Sequence, residues 1–312
     1  MIVTRAPLRI ALGGGGTDFP SYYLKYGGNI LSFAMDKYVY IFMHNTIDGK
    51  VRLKYSKNEV VEHADLLENR VAAETLKAYG VSKGVEIATF SDVPESSGLG
   101  GSSAFCVALI TALRHKLGIP LNKREIYKSA YDIERVKAKQ PGGMQDQFFA
   151  TFGGSWSITL GTGLEQMETV DVSRLLPKLK LVYTGITRTN LEIAASQTKD
   201  TESGNSDVIQ SLHRTRELWR AIRQCIIDGD LDDIGGMFHA HWLNKKQRSK
   251  LISSTQLDNI YERALKNGAT GGKLIGLGGG GYFLFYVPKE LRGFKTVPFD
   301  IDWEGCKVVY SD

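Results

Sequence analysis

The chain has 312 residues, 42% hydrophobic and 23% charged, which suits two domains of ordinary globular composition and excludes a largely disordered protein. Its net charge of +5, from 39 basic and 34 acidic residues, permits anionic small molecules and does not call for nucleic acid. The longest uncharged windows, 96–113 and 147–164, are broken by Gly and Ser and exclude a membrane span, while three scattered cysteines, Cys106, Cys225 and Cys306, fit neither a disulfide framework nor a metal cluster. The opening Met1-Ile2-Val3-Thr4-Arg5 lacks a signal-peptide core, so the expected location is the cytoplasm. Gly is the informative residue, at 34 of 312 against an ordinary ~7%. It clusters at 13–16, 98–101, 142–143, 153–154 and 271–281, where backbone must turn sharply or come close to something.

In chain order, an apolar strand through Leu8–Leu12 runs into Gly13-Gly14-Gly15-Gly16-Thr17-Asp18. A structural turn needs one or two glycines; four carry a large ordering cost and point to close approach of a ligand. Asp18 either accepts hydrogen bonds from ligand hydroxyls or caps a helix beginning near Pro20. Strands follow at Tyr38–His44, Val51–Tyr55 and Val85–Phe90, with a helix at Ala64–Tyr79. Then comes Pro94-Glu95-Ser96-Ser97-Gly98-Leu99-Gly100-Gly101-Ser102-Ser103-Ala104, ahead of an apolar helix over Ser103–Leu117. Backbone N–H groups in such a loop and the positive end of the helix dipole form an anion cradle, and the serines can meet a phosphate or Mg²⁺. A helix cap by Ser102 or Ser103 explains one serine and leaves the glycines unexplained.

Asn122 and Glu125 form a capping pair for a helix over Lys123–Lys137, whose apolar face is Ile126, Ala130 and Ile133. Glu134 lies at the edge of that face. A carboxylate there needs a metal or an ion pair, for which Arg135 and Lys137 are the neighbours. After the turn Pro141-Gly142-Gly143, Asp146 precedes the apolar run Phe148–Phe152; alone it is a turn aspartate, and beside a phosphate loop it is a candidate base. A strand at Ser155–Leu160 is followed by a polar stretch near 165–178, the expected domain boundary, dividing the chain into 1–175 and 176–312. Beyond it are strand Leu179–Thr184, a long helix over 206–228, helix Leu257–Asn267, and strands Tyr282–Val287 and Lys307–Tyr310. Within Gly271–Gly281, the glycines at 276, 278 and 281 match a dinucleotide fingerprint. A strand follows where a helix belongs, so that reading fails, as does a P-loop at Gly272-Lys273.

Taken together, Pro7 through Asp18, Pro94 through Ala104 and Gly271 through Gly281 resemble, in order, the three motifs of the GHMP kinases, with one Gly more than the usual form in the second. Within that family the segments Gly13–Asp18, Gly100-Gly101, Gly143–Gln147, Tyr183–Arg188 and Trp242–Ser254 resemble the sugar kinases acting on D-glycero-D-manno-heptose 7-phosphate. The resemblance implies an α+β, two-domain GHMP kinase architecture: an N-terminal ATP-binding domain like ribosomal protein S5 domain 2 and a ferredoxin-like C-terminal domain. It implies ATP and Mg²⁺ as cofactors, phosphorylation of the anomeric O1, and a 1,7-bisphosphate destined for a nucleotide-activated heptose. It assigns Gly98, Leu99, Gly100, Gly101, Ser102, Ser103 and Ala104 to the ATP phosphates, and Ser103 with Glu134 to Mg²⁺. Asp146 and Arg9 become the catalytic pair. Gly15, Gly16, Thr17, Asp18, Asp146, Arg188, Lys245, Gly278, Gly279 and Gly280 go to the substrate, and Lys273 either supports the fold or touches the ligand. A phosphorylated substrate needs a basic pocket, for which Arg188, Lys245, Lys246, Arg248 and Lys250 are candidates; the alternative for 245–250 is a solvated helix face. A free-sugar GHMP kinase and an inactive sugar- or nucleotide-binding homologue are the competing functions. Neither nucleic acid nor membrane is an expected partner, and a homodimer is one.

Overall fold

The computed structural model describes residues 1–161, 166–187 and 191–312. The first region builds an eight-stranded sheet from β1 (Ile2–Gly13), β2 (Gly28–Asn45), β3 (Val51–Lys54), β4 (Asn58–Val61), β5 (Val85–Ser91), β6 (Ser155–Leu160) and β7 (Gln166–Thr169), joined by the chain's last strand. β2 is the spine. It runs antiparallel to β1 along its length, pairs β6 through Gly28–Phe33 and pairs β5 through Val39–Asn45. Its first half is buried on both faces and carries no alternation, which is why the sequence pattern shows only a strand at 38–44.

Helices cover one face of this sheet. α1 (Pro20–Tyr26) opens on a Pro at its first turn, and its N-cap is Phe19, so Asp18 is not the cap. The expected helix over 64–79 is broken: Ala64–Leu66 is a 3₁₀ turn, and α2 (Arg70–Ala78) starts afresh after Asn69, whose side chain accepts from the Ala72 N–H at 3.1 Å. α3 (Gly101–Lys116) is the central helix, buried almost all round, and is capped by Gly100 in a left-handed conformation with no side-chain cap bond. α4 (Lys123–Tyr131) begins on the expected Asn122 cap and continues into a π turn, Asp132–Lys137. α5 (Gln145–Phe152) turns the expected Asp146 loop into the first turn of a helix.

The second region is a four-stranded antiparallel sheet. β8 (Leu179–Tyr183) pairs β10, and the four helices α6 (Leu191–Glu202), α7 (Ser206–Asp228), α8 (Ile234–Lys246) and α9 (Thr255–Lys266) precede β9 (Gly271–Leu274), β10 (Tyr282–Tyr286) and β11 (Thr296–Val297). β10 is buried on both faces. Tyr282, Leu284 and Tyr286 join the main core with Leu181 and Trp219, while Phe283 and Phe285 pack on Trp242, Leu257 and Tyr261 in a second core. β12 (Lys307–Ser311) then returns to the edge of the first sheet beside β1. The two regions therefore share one continuous core, and a cleft of about 1030 Å³ lies between their glycine loops. All three cysteines are free thiols. Among the described residues no helix is long and apolar enough to cross a membrane.

Candidate active site

The base of the cleft is the N-terminus of α3. Its first N–H groups have no side-chain cap, and Gly98, Gly100, Gly101, Ser102 and Ser103 line the cleft there. Leu99 and Ala104, expected with them, have fully buried side chains, and the Leu99 carbonyl accepts from the Arg9 N–H at 3.0 Å. The π turn after α4 brings Glu134, 1% exposed, under this helix end. Glu134 accepts from Ser102 Oγ at 2.8 Å, Ser103 Oγ at 2.6 Å and Gln147 Nε2 at 2.5 Å, with Arg135 Nη1 3.6 Å away. Of the two sequence alternatives the ion pair is present, with Arg135 as the neighbour, and the same carboxylate also accepts from the two serines. The serines turn their hydroxyls to Glu134 rather than capping the helix.

Next to this group stands an arginine–aspartate pair. Arg9, on β1, is 4% exposed and donates from Nε to Asp146 Oδ1 at 2.8 Å and from Nη1 to the Gly98 carbonyl at 2.5 Å. Asp146, in the first turn of α5, lies directly under Gly100: a Cβ placed there would come within 3.4 Å of its Cγ. Asp18 is 1% exposed and accepts from the Gly16 N–H at 3.1 Å and the Gln145 N–H at 3.3 Å. Burial, and then the charge of Asp146, push its carboxyl above the ordinary range, against the pull of those N–H groups. Gly143 permits this approach, since any Cβ there would sit 1.8 Å from Asp18 Oδ2.

The first glycine run divides in two. Gly13 and Gly14 pack on Trp219 and Asn29, Thr17 Oγ1 donates to the Gly14 and Asn29 carbonyls at 2.7 and 2.9 Å, and only Gly15 and Gly16 reach the cleft. The third run divides likewise. Ile275, Gly276 and Leu277 line the cleft, whereas Gly278, Gly279 and Gly280 lie behind them, against Ile252 and Ile186. Gly278, Gly279 and Gly280, expected at the substrate, therefore do not line the cleft, because their backbone packs against Ile252 and Ile186. Arg188 lies outside the described residues.

The remaining wall is basic. Lys245 on α8 is 6% exposed and donates from Nζ to the Leu274 and Gly276 carbonyls at 3.0 and 2.5 Å. Arg248, just past α8, donates to Ser211 Oγ at 2.9 Å, to Thr215 Oγ1 and to the Gly15 carbonyl at 3.5 Å. Lys273 on β9 donates to the Leu12 carbonyl at 2.7 Å. The idea of a solvated face holds for Lys246, which pairs with Asp258 at 3.0 Å, and for exposed Lys250, and fails for Lys245 and Arg248. Sequence reasoning missed Gln147, Gln145, His241 and Gln197, whose Nε2 donates to the Gly16 carbonyl at 3.1 Å. It also missed the apolar end of the cleft, formed by Tyr55, Val71, Phe90, Val93 and Phe105. Gln145 and Gln147 flank Asp146 in sequence, the one local signal available.

Glu134 and the two serine hydroxyls are hard oxygen donors with a single carboxylate, the kind of set that holds Mg²⁺ together with substrate phosphates. Gln147 Oε1, buried without a hydrogen-bond partner, is a further oxygen at the same place.

Comparison with known proteins shows the family. The sequence model of the GHMP kinases N terminal domain matches residues 53–154. A D-glycero-alpha-D-manno-heptose 7-phosphate kinase from Campylobacter jejuni is 31% identical over 308 residues, covering 92% of this chain and 89% of the relative. The crystal structure of a D-glycero-D-manno-heptose 1-phosphate kinase from Bacteroides thetaiotaomicron superposes with a TM-score of 0.72 at 25% identity, covering 100% of both chains. Lactococcus lactis galactokinase complexed with galactose, at 19% identity and a TM-score of 0.71 over 99% of this chain and 94% of its own, shares the fold.

Proposed function

The chain belongs to the GHMP kinase family and is an ATP-dependent sugar kinase, and from that premise we propose that it transfers the γ-phosphate of ATP to the anomeric O1 of D-glycero-D-manno-heptose 7-phosphate. The observation that carries the reading is one cleft that holds two serine hydroxyls on a buried carboxylate beside an arginine-held aspartate, all at an uncapped helix N-terminus. Residues 1–175 would hold the nucleotide and residues 176–312 the far wall of the substrate pocket.

Phosphoryl transfer asks for positioning and charge stabilisation. The uncapped N–H groups at the start of α3, with the exception of Ala104, whose N–H bonds the Gly100 carbonyl at 3.0 Å, would receive the ATP phosphates together with the α3 dipole. Ser103, Ser102 and Glu134 would hold Mg²⁺, which neutralises phosphate charge when bound. The apolar end at Tyr55, Phe90 and Phe105 suits a base ring. Arg9 fixes Asp146 through Oδ1, leaving the carboxylate to take the O1 proton as the O1–Pγ bond forms and the bond from Pγ to ADP breaks. Arg9 also brings positive charge to the point where negative charge develops. Asp18, Gln145 and Gln197 are placed for sugar hydroxyls.

An ADP-release screen over free sugars and sugar 7-phosphates, with product NMR, tests this. We expect heptose 7-phosphate to exceed the free heptose in kcat/KM by about ten-fold or more, the loss expected from one charged hydrogen bond, with the new phosphate on C1. Equal efficiency on phosphorylated and free sugar would remove the phosphorylated substrate.

A further inference from the structure

The wall formed by α8 and β9 has a property the kinase chemistry leaves unused. His241 and Lys245 lie one turn apart on α8, Arg248 follows within the next turn, and Lys273 comes from β9; all four are at least nine-tenths buried and line the cleft. Among the described residues no carboxylate lies within 4 Å of any of them. Both ring nitrogens of His241 are buried without a hydrogen-bond partner. Buried cations without a counter-ion are costly and persist only where something else completes them.

Their donors are partly used. A lysine ammonium has three N–H groups and a guanidinium five. Lys245 gives two to carbonyls, Lys273 one, and Arg248 three. What remains on each belongs to side chains that line the cleft, and the imidazole of His241 lines it with them. A phosphate monoester offers three terminal oxygens and nearly two negative charges, which is the complement such a set lacks.

We propose that His241, Lys245, Arg248 and Lys273 form a phosphate-monoester subsite that anchors the end of the sugar substrate remote from the reacting hydroxyl. The inference rests on the proposed sugar-phosphate reading and deepens it by assigning the residues. Burial first, and then the neighbouring cations, holds three of the four below their ordinary values: Lys273 falls to about 7 beside Arg9 and Arg248, Lys245 well below normal beside Lys273, Arg248 and Arg9, and His241 likewise beside Lys273, Arg248 and Lys245, while burial alone lowers Arg248 to about 10, against the pull of Tyr22. An arriving dianion reverses that balance, so its binding draws protons in.

The test is calorimetric titration with inorganic phosphate at pH 7.5, with the nucleotide site already filled by Mg²⁺ and a non-hydrolysable ATP analogue, in buffers of different ionisation enthalpy. We expect one phosphate bound with net proton uptake, and affinity about ten-fold or more weaker in Lys273→Met and in His241→Phe. Lys246→Met, whose ammonium is paired with Asp258, should leave phosphate affinity unchanged. Retained affinity for the ATP analogue certifies each fold; should Lys273→Met fail that check, His241→Phe and the proton uptake of the unaltered enzyme still decide. Absence of phosphate binding, binding without proton uptake, or unchanged affinity in His241→Phe overturns the subsite. The two levels separate cleanly. If the enzyme turns over heptose 7-phosphate and His241→Phe leaves its KM in place, the subsite falls and the substrate stands. If only a free sugar is phosphorylated while phosphate still binds here, the substrate falls and the anion site stands.

Discussion

The two walls of the cleft treat charge in opposite ways. On the side of α3 and α5 each charged group has its partner: Glu134 receives two hydroxyls and an amide with Arg135 alongside, and Asp146 is held by Arg9. On the side of α8 and β9 the cations lean on backbone carbonyls and hydroxyls, and one imidazole has no partner. The first wall is set before any ligand arrives, as chemistry that depends on fixed geometry requires. The second gives up stability in the empty protein for the sake of what binds it.

The first wall is broken most severely by Asp146→Asn. Its amide cannot take the O1 proton, and kcat should fall by at least ~10²-fold with little change in the KM for ATP, measured by steady-state ADP release. Near-normal turnover would remove Asp146 from the mechanism. Glu134→Gln keeps the shape but replaces a charged oxygen ligand with a neutral one. The midpoint of a Mg²⁺ titration should rise by about ten-fold and kcat should fall with it, as loss of a charged contact implies. A midpoint that stays put makes Glu134 a purely structural partner of the serines and Arg135.

The second wall is sharpened by pH. Lys273 has an ordinary value of 10.5 and, with burial first and then Arg9 and Arg248, titrates at about 7 in the fold. The groups packed around it are Arg9 from β1, and His241, Lys245 and Arg248 from α8 and its end. Between pH 7 and about 10 the unfolded chain keeps a proton that the folded chain has released, so stability rises with pH across that window. Melting of the ligand-free protein should shift upward by a few degrees from pH 7 to 9.5, the size that ~1–2 kcal/mol produces in a protein of this length. Lys273→Met should show a smaller rise. The same rise in both proteins would mean that Lys273 is not the buried charge responsible.

Much of this arrangement was legible in the sequence where local chemistry dictates it. Ser102, Ser103 and Glu134 stand out as glycine-flanked or misplaced polar residues, Asp146 stands out only beside the phosphate loop, Arg9 comes from the family resemblance alone, and the fold draws all five together. The strands at 85–91, 155–160 and 282–286 could be read from apolar β-forming runs. The first half of β2 could not, because a strand covered on both faces has no alternation and Asp36-Lys37 interrupts it. His241 was hidden for a related reason. α8 is buried on several sides and has no clear polar stripe against which an inward imidazole would stand out. The glycine runs misled by degree: Gly13 and Gly14 of the first run and every glycine but Gly276 of the third lie away from the cleft, and no single-residue pattern separates them from those that line it.

One contact made by those runs fixes how closely the two sides of the cleft approach each other. At the cleft base the Gly98 and Gly276 loops touch main chain to main chain; a Cβ on Gly276 would lie 2.6 Å from the Gly98 Cα, and one on Gly98 would lie 2.7 Å from the Ile275 carbonyl. That contact sets the gap between the loop before α3 and the loop after β9. A single methyl group at either position would act as a shim that pushes the two loops apart, and transfer between two bound partners tolerates very little added distance.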